Sequence, residues 1–382
     1  MLCLARMTRT EKLLSELIAL PSVNPAFLPT GDVRAGEQRV ADFLAATAAQ
    51  AGLDVEFQKV LPGRSNLLAR FSPSGKIRQR ILLAPHLDTV PVADASQFLP
   101  RKKGGRLFGR GACDTKGSIA AMLAALGELA GSKQRPRETE IIFAGLVDEE
   151  NAQAGSRAFA ASGLKADLAI VGEPTRLRVV TAHKGSLWLQ LETRGKSAHG
   201  SRPELGRNAV HAMARIVDTL ETNYAAQLRL RRHPLLGRAT VNVGMIHGGS
   251  QPNSVPDSCC ITIDRRTLPG ETEAGVRREI TALLARQKLQ AKFSSARPMP
   301  SAPLETKISL PLVREFMQIA GQKKSAGVDF FCDAAVLAAA GIPSVVFGPG
   351  DIAQAHTADE WISLASLERA KEILLRYFHS LP

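Results

Sequence analysis

Ile81-Leu82-Leu83-Ala84-Pro85-His86-Leu87-Asp88 decides the fold: it is a short apolar run that ends in an imidazole and a carboxylate. Three further runs repeat the plan. Residues 141–147 lead into Asp148-Glu149-Glu150, residues 168–171 into Gly172-Glu173, and residues 344–347 into Gly348-Pro349-Gly350 and then His356. Gly109-Arg110-Gly111-Ala112-Cys113-Asp114 adds a carboxylate just ahead of a helix-forming stretch. Apolar runs of this length suit strands buried on both faces of a sheet. Open α/β sheets bind ligands in the crevice at the carboxyl ends of their strands. Repeated placement of His, Asp and Glu at those ends predicts one shared site for hard metal ions.

Outward from these runs, the first third of the chain alternates helix and strand. Residues 11–20 read as a helix that stops before Pro21, and residues 36–51 as a helix closed by Gly52. Strands follow at 55–60 and 66–71, and the Ala- and Leu-rich stretch 117–130 reads as a buried helix. This alternation implies an α/β domain with a mostly parallel sheet flanked by helices. The pattern then changes. Strands at 186–193, 239–246, 258–267 and 291–295 interleave with helices at 208–220 and 272–287, in the order β-α-β-β-α-β of a ferredoxin-like α+β unit. The Pro-containing stretch 297–303 leads back to helices at 312–320, 334–340 and 367–379 and a strand at 345–347. The expected division is a catalytic metal-binding domain of residues 1–182 and 299–382, with residues 183–298 inserted into it.

Composition bounds the function. The chain has 382 residues with 45% hydrophobic and 22% charged residues, ordinary values for a globular protein with a substantial core. No apolar run approaches the roughly 18 residues of a membrane span. Residues 1–9 lack the sustained apolar region of a signal peptide, and Met7 is an alternative start, because the helical pattern begins after it. Five cysteines, an odd number without CxxC spacing, do not form a disulfide framework, and a cytoplasmic location is expected. The net charge of +13 raises nucleic-acid binding. The densest basic cluster, Arg229, Arg231, Arg232 and Arg238, has no interleaved aromatic residues for base stacking, and aromatics make up only 5% of the chain. A solvated basic surface that aids solubility explains the charge, and neither a nucleic-acid nor a membrane partner is expected.

The chemistry follows from the residue types. His86, Asp114, Glu150, Glu173 and His356 combine two imidazoles with three acids, a set that suits Zn²⁺, Co²⁺ or Mn²⁺. Two such ions roughly 3.5–4 Å apart can share a hydroxide and polarise a carbonyl. Asp88 follows His86 by two residues, so both project from one strand face, and it can orient the imidazole. Glu149 and Glu150 are adjacent at a strand end and point in different directions, so one can bind metal while the other, Glu149, acts as general base. Singly, each signal is weak: a histidine at a strand end is often structural, and paired acids often form a solvated turn. Their recurrence in one order is what carries weight. Cys113, beside Asp114, has no base partner in sequence and is not expected to be a nucleophile, and His183 and His247 read as structural.

The motifs PHLDTVP (85–91), GRGACDTKG (109–117), VDEENAQAG (147–155), VGEPT (171–175), RGKSAHGSRPELGRNAV (194–210), GGSQPNSVPD (248–257), DRRTLPGE (264–271) and GPGDIAQAH (348–356) span nearly the whole chain. Together they resemble the dinuclear zinc amidohydrolases and exopeptidases of the peptidase M20 family, which includes acetylornithine deacetylases, succinyl-diaminopimelate desuccinylases, aminoacylases and carboxypeptidase G2-type enzymes. The resemblance implies a zinc-exopeptidase-like catalytic domain in which His86 and Glu173 hold one metal, Glu150 and His356 the other, and Asp114 bridges them through a cis peptide to Thr115. It assigns the general base to Glu149 and the orienting role to Asp88. It makes the inserted domain a dimerisation or lid domain, with a homodimer as the expected state. It implies that His199 stabilises the tetrahedral oxyanion, and that Asn253 and Arg266 hold the carboxylate of an N-acyl amino acid. Of Arg265 and Arg266, alternate neighbours on a strand, one is expected to face solvent.

The expected reaction is hydrolysis of the amide of an N-acyl amino acid, foremost N-acetyl-L-ornithine, because GPGDIAQAH resembles the matching stretch of the deacetylases. KSAH (196–199) differs from the QGH-like sequence usual in desuccinylases. Desuccinylation, general aminoacylase activity and dipeptidase or carboxypeptidase activity are the alternatives. Pro85 stands where the family usually has Gly, and Thr115 where Met is common; neither change removes a metal ligand.

Overall fold

The computed structural model describes residues 7–297 and 299–382. The choice of Met1 or Met7 as start turns on residues 1–6, which lie outside the described residues, as does the expected boundary at residue 298. The chain divides into two compact units. Unit 1 comprises Met1–Thr181, Thr306–Ala326 and Cys332–Pro382, and unit 2 comprises Ala182–Glu305 and Gly327–Phe331.

Unit 1 is built on seven strands: β1 (Asp54–Leu61), β2 (Arg64–Phe71), β3 (Gln79–Pro85), β4 (Thr139–Gly145), β5 (Leu168–Gly172), β6 (Val180–His183, whose last two residues, Ala182 and His183, fall in unit 2) and β7 (Ser344–Val346). They lie side by side in the order β1-β2-β4-β3-β5-β7-β6. The four central strands, β4, β3, β5 and β7, are parallel; β2 and β6 run antiparallel to them at the flanks, and β1 pairs antiparallel with β2. These four are the runs read from the sequence, and because they are parallel their carboxyl ends fall along one edge. All of β4 and β5 is buried, as expected for strands covered on both faces. β1 alternates exposed and half-buried residues and carries Asp54, Glu56 and Lys59, charges that discourage further pairing at the sheet edge.

Helices cover the sheet: α1 (Arg9–Ile18), α2 (Gln38–Gln50), α3 (Lys116–Ala130), α4 (Ala154–Ala161), α5 (Pro311–Ile319), α6 (Ala334–Ala339) and α7 (Leu364–Ser380). Apolar residues surround α3 on nearly every side of its axis, and it is correspondingly buried, packed against α1 and α7. Thr8 and Ser363 cap α1 and α7 by accepting backbone N–H bonds from Glu11 and Ser366, which explains where these helices begin.

In unit 2 the strands Thr240–Gly248, Ser258–Thr267, Gly185–Arg194 and Lys292–Ser295 pair antiparallel in that order. This is the ferredoxin-like arrangement that the β-α-β-β-α-β order predicts. Ser258–Thr267 alternates strictly between buried and half-buried residues. Its buried face, with Ile261 and Ile263, meets Leu187, Leu189, Met213, Ile216 and Ile280 in a core of its own. Asn208 and Thr272 cap the helices Ala209–Thr219 and Glu273–Arg286. Residues 301–305 stay with unit 2 because Ser301 bridges Ser186 and Leu304 and Glu305 pair with His183 and Ala182. Unit 2 therefore extends past the boundary expected from the Pro-containing stretch. Among the described residues no helix is long and apolar enough to cross a membrane. Cys113, Cys259, Cys260 and Cys332 are free thiols.

Candidate metal centre

β3 and β4 keep pairing beyond their formal ends. Leu146 N–H donates to the Pro85 carbonyl at 2.9 Å, and Leu87 N–H to the Leu146 carbonyl at 2.7 Å. Pro85, which has no N–H, thus contributes the one backbone group it has, and His86 arrives beside residues 147–150. There Asp148 adopts φ +69°, a left-handed conformation that Asp tolerates better than most residues. Its carboxylate accepts from Arg64 Nη1 at 3.0 Å and Asn24 Nδ2 at 3.0 Å, which hold the turn. The next two N–H groups, of Glu149 and Glu150, then donate to Asp88 Oδ1 and Oδ2 at 3.1 Å each. Asn24 Nδ2 adds a bond to Asp88 Oδ2 at 2.7 Å. With its carboxylate so occupied, Asp88 offers its backbone carbonyl to His86 Nδ1 at 3.0 Å, while its Oδ1 stands 3.5 Å from the same nitrogen. Either way the other ring nitrogen, Nε2, faces the crevice.

Asp114 lies on the loop before α3, and the Asp114–Thr115 peptide is cis. Thr115 Oγ1 donates to the Gly172 carbonyl at 2.7 Å, tying the loop to the end of β5, where Glu173 follows. Gly348 ends the β7 run with no room for a side chain: a Cβ there would lie 2.3 Å from Ser118 Oγ and 2.6 Å from the Glu173 carbonyl. The segment after it is pinned by Leu177 N–H to the Gly348 carbonyl at 3.0 Å and Arg176 N–H to the Gly350 carbonyl at 2.8 Å. It delivers His356, in a left-handed conformation at φ +61° and half-exposed. Such conformations on non-glycine residues cluster at functional sites.

The five residues read as ligands converge. His86 Nε2 is 3.0 Å from Asp114 Oδ1 and 3.9 Å from Glu173 Oε1. His356 Nε2 is 3.3 Å from Asp114 Oδ2 and 3.2 Å from Glu150 Oε1. Donor atoms of His86, Asp114 and Glu150 all lie within 4.8 Å of one another, as a metal site requires. The electrostatics demand positive charge. Burial, together with the neighbouring carboxylates Glu173, Asp333 and Glu150, pushes Glu149 well above the usual range, against the pull of His86. Burial likewise raises Glu173 and Glu150, with Asp114 adding to both. The Asp114 and Glu150 carboxylates lift His356 to about 10, and Asp114 and Asp88 hold His86 well above its ordinary value in spite of burial. Two imidazole nitrogens ringed by oxygens, in an acidic cluster short of cations, fit borderline divalent ions.

His199, Asn253 and Arg266 belong to unit 2. His199 is exposed, its Nδ1 2.7 Å from Ser201 Oγ. It bridges Ser254, and Gly200 N–H donates to the Asn253 carbonyl at 2.7 Å, so His199 and Asn253 are neighbours. Arg266 is the half-exposed member of its pair, with Nε 3.0 Å from Asp264 Oδ2. Arg265 is fully buried, bonded to Tyr224 and Glu271. His183 is buried, its Nδ1 2.9 Å from the Lys184 carbonyl, whereas His247 is exposed. The Cys113 thiol is pushed up strongly by burial and by Asp114 and Glu360, so it holds its proton.

Sequence reasoning missed several supporting residues. Asn24, Glu37 and Arg64 order the Asp88–Asp148 region, with Arg64 bound to both Glu37 and Asp148. Asp333, bonded to Ser156 Oγ at 2.6 Å, is a buried carboxylate raised to about 6 by burial. Glu360 accepts four hydrogen bonds from the Asp114 loop and its arginine. Lys116 buries its ammonium on the Leu17 and Leu20 carbonyls at the end of α1. None carries a local signal, because each acts across long sequence separations.

The comparisons with known proteins agree with one another. The model for "Peptidase family M20/M25/M40" matches residues 82–380. An acetylornithine deacetylase of Edwardsiella ictaluri is 31% identical over 377 residues, covering 95% of each chain. One of Myxococcus xanthus is 33% identical over 353 residues, covering 88% of this chain and 90% of its own. Among solved structures, the aminopeptidase PepT of Bacillus cereus aligns with a TM-score of 0.78 at 22% identity, covering 97% of both chains. The M20 family metallo-carboxypeptidase Sso-CP2 of Sulfolobus solfataricus aligns at 0.75 and 19% identity, covering 98% of this chain and 99% of that one. A dinuclear metal binding M20 peptidase of Bacillus subtilis aligns at 0.70 and 15% identity, covering 98% and 97%.

Proposed function

Because the chain belongs to the M20/M25/M40 peptidase family and is a hydrolase of that family, we propose that it hydrolyses the amide bond of an N-acyl amino acid, with N-acetyl-L-ornithine as substrate. The observation that carries this reading is the convergence of His86, Glu173, Glu150 and His356 around Asp114, with Glu149 in the same acidic cluster. The substrate assignment draws on the curated relatives, which are named acetylornithine deacetylases.

Unit 1 is the catalytic domain in this reading. His86 and Glu173 would hold one divalent ion and Glu150 and His356 the second, with Asp114 between them; zinc would suit the set best, with cobalt or manganese as substitutes. When bound, such ions polarise the acyl carbonyl and make water a nucleophile at neutral pH. Glu149 takes the proton of the attacking water. It then returns that proton to the departing amine nitrogen. Asp88 fixes the His86 ring and, through the two backbone N–H bonds, the directions of Glu149 and Glu150. Arg266 and Asn253 hold the free carboxylate of the substrate, an arginine fork being suited to both carboxylate oxygens. His199 donates to the oxyanion. Unit 2 is the dimerisation domain, and the enzyme works as a cytoplasmic homodimer on a small-molecule substrate.

The test is hydrolysis of N-acetyl-L-ornithine by Zn²⁺- or Co²⁺-loaded protein, with a chelated control. Chelator-sensitive release of ornithine supports the reading. No release from metal-loaded protein rejects this substrate, and succinyl-diaminopimelate, other N-acyl amino acids and dipeptides are then assayed in turn.

A further inference from the structure

The loop that carries Asp114 is organised around one carboxylate from a distant part of the chain. Glu360 is 2% exposed. Its Oε1 accepts the backbone N–H groups of Cys113 at 2.8 Å and Asp114 at 3.0 Å. Its Oε2 accepts the Gly111 N–H at 2.9 Å and Arg110 Nη1 at 2.7 Å. Its own backbone carbonyl takes the Gly109 N–H at 3.0 Å. A six-residue segment is thereby held at five points by a single residue. The Arg110 guanidinium offsets the buried negative charge beside the site. With its N–H already engaged, Asp114 has its backbone fixed, and both of its carboxylate oxygens are left to face Nε2 of His86 and of His356.

We propose that Glu360 is the positioning residue for Asp114, and that it tunes the affinity with which the centre takes up its divalent ions. The inference rests on the two-metal reading given above. It requires a carboxylate, because each oxygen serves two donors. An amide has one accepting oxygen, and its NH₂ would turn hydrogens toward two N–H donors. Groups that orient a ligand from behind typically change metal affinity about 10–100-fold when replaced.

The experiment uses the full chain, stripped of metal and titrated with Co²⁺, for wild type, Glu360→Gln and Glu360→Asp. The readouts are ions bound per chain, dissociation constants, the Co²⁺ visible absorption spectrum and the melting temperature of the metal-free protein. Wild type is expected to bind two ions. Glu360→Gln should keep the metal-free melting temperature within a few degrees, weaken at least one ion about 10–100-fold, and alter the spectrum. Glu360→Asp retains the charge but withdraws it by one methylene, and should fall between. Wild-type affinity and spectrum in a folded Glu360→Gln chain overturn the inference alone. Loss of the metal-free fold in both variants overturns it in favour of a purely structural role. A wild-type chain that binds no divalent ion overturns the metal reading itself, and this inference with it.

Discussion

Glu149 and Glu150, consecutive in the chain, share one anchor: the two oxygens of Asp88 accept their backbone N–H groups at 3.1 Å each. The anchor fixes the backbone, and the Glu150 carboxylate stands 3.2 Å from His356 Nε2. The roles should therefore separate on mutation. Glu149→Ala is expected to lower kcat by at least about 10²–10⁴-fold while bound metal stays at the wild-type level. Glu150→Ala is expected to lose metal. Metal analysis beside steady-state kinetics checks both, and the opposite pattern would mean the two roles are exchanged.

His199 is exposed and holds its ring through Ser201 rather than through an acid. In the oxyanion role, His199→Ala should cut kcat about 10²–10³-fold, with metal content unchanged. A variant that turns over at the wild-type rate would remove His199 from the mechanism.

Arg266 rests its guanidinium on Asp264, so a substrate carboxylate must share that fork. Arg266→Ala should raise KM for N-acyl amino acids at least about tenfold, the scale of one charge-assisted pair. The same substrate with its carboxylate converted to an amide should be equally poor for wild type and variant. If the amide still distinguishes the two enzymes, Arg266 does not read the carboxylate.

His183 gives a pH signature independent of the metal. Burial depresses its pKa from 6.5 to about 4. Between those values the unfolded chain binds the proton and the folded one does not, so stability rises with pH there. The contribution is fully present above about pH 6.5 and is lost as pH falls toward 4. A depression of this size corresponds to roughly 3 kcal/mol. His183→Gln should flatten the stability curve of the protein over that window in urea melts, and an unchanged slope would reject the assignment.

Much of the secondary structure is legible because the periods are clean. Ser258–Thr267 alternates without a break and coincides with its expected bounds, and Glu273–Arg286 falls within one residue of them at each end. β6 (Val180–His183) went unread because four fully buried residues contain no period to detect. The short strand Arg101–Lys103 went unread because it is charged and fully exposed, the opposite of a core strand. Which of Arg265 and Arg266 faces inward was open in the sequence. Alternation requires the two to differ, and only the side on which the unit 2 helices pack makes Arg265 the buried one.

By itself, the sequence determined the class of fold and the identity of the candidate ligands. Each of His86, Glu150 and Glu173 stands within three residues of the end of an apolar run, and parallel strands must bring such ends to one edge. The tertiary structure alone decided how those ligands are held. Glu360 meets Asp114 across 246 residues and Asn24 meets Asp88 across 64. A buried carboxylate or amide is stable only where the fold supplies its hydrogen-bond partners, and partners so distant leave no pattern in any local stretch of sequence.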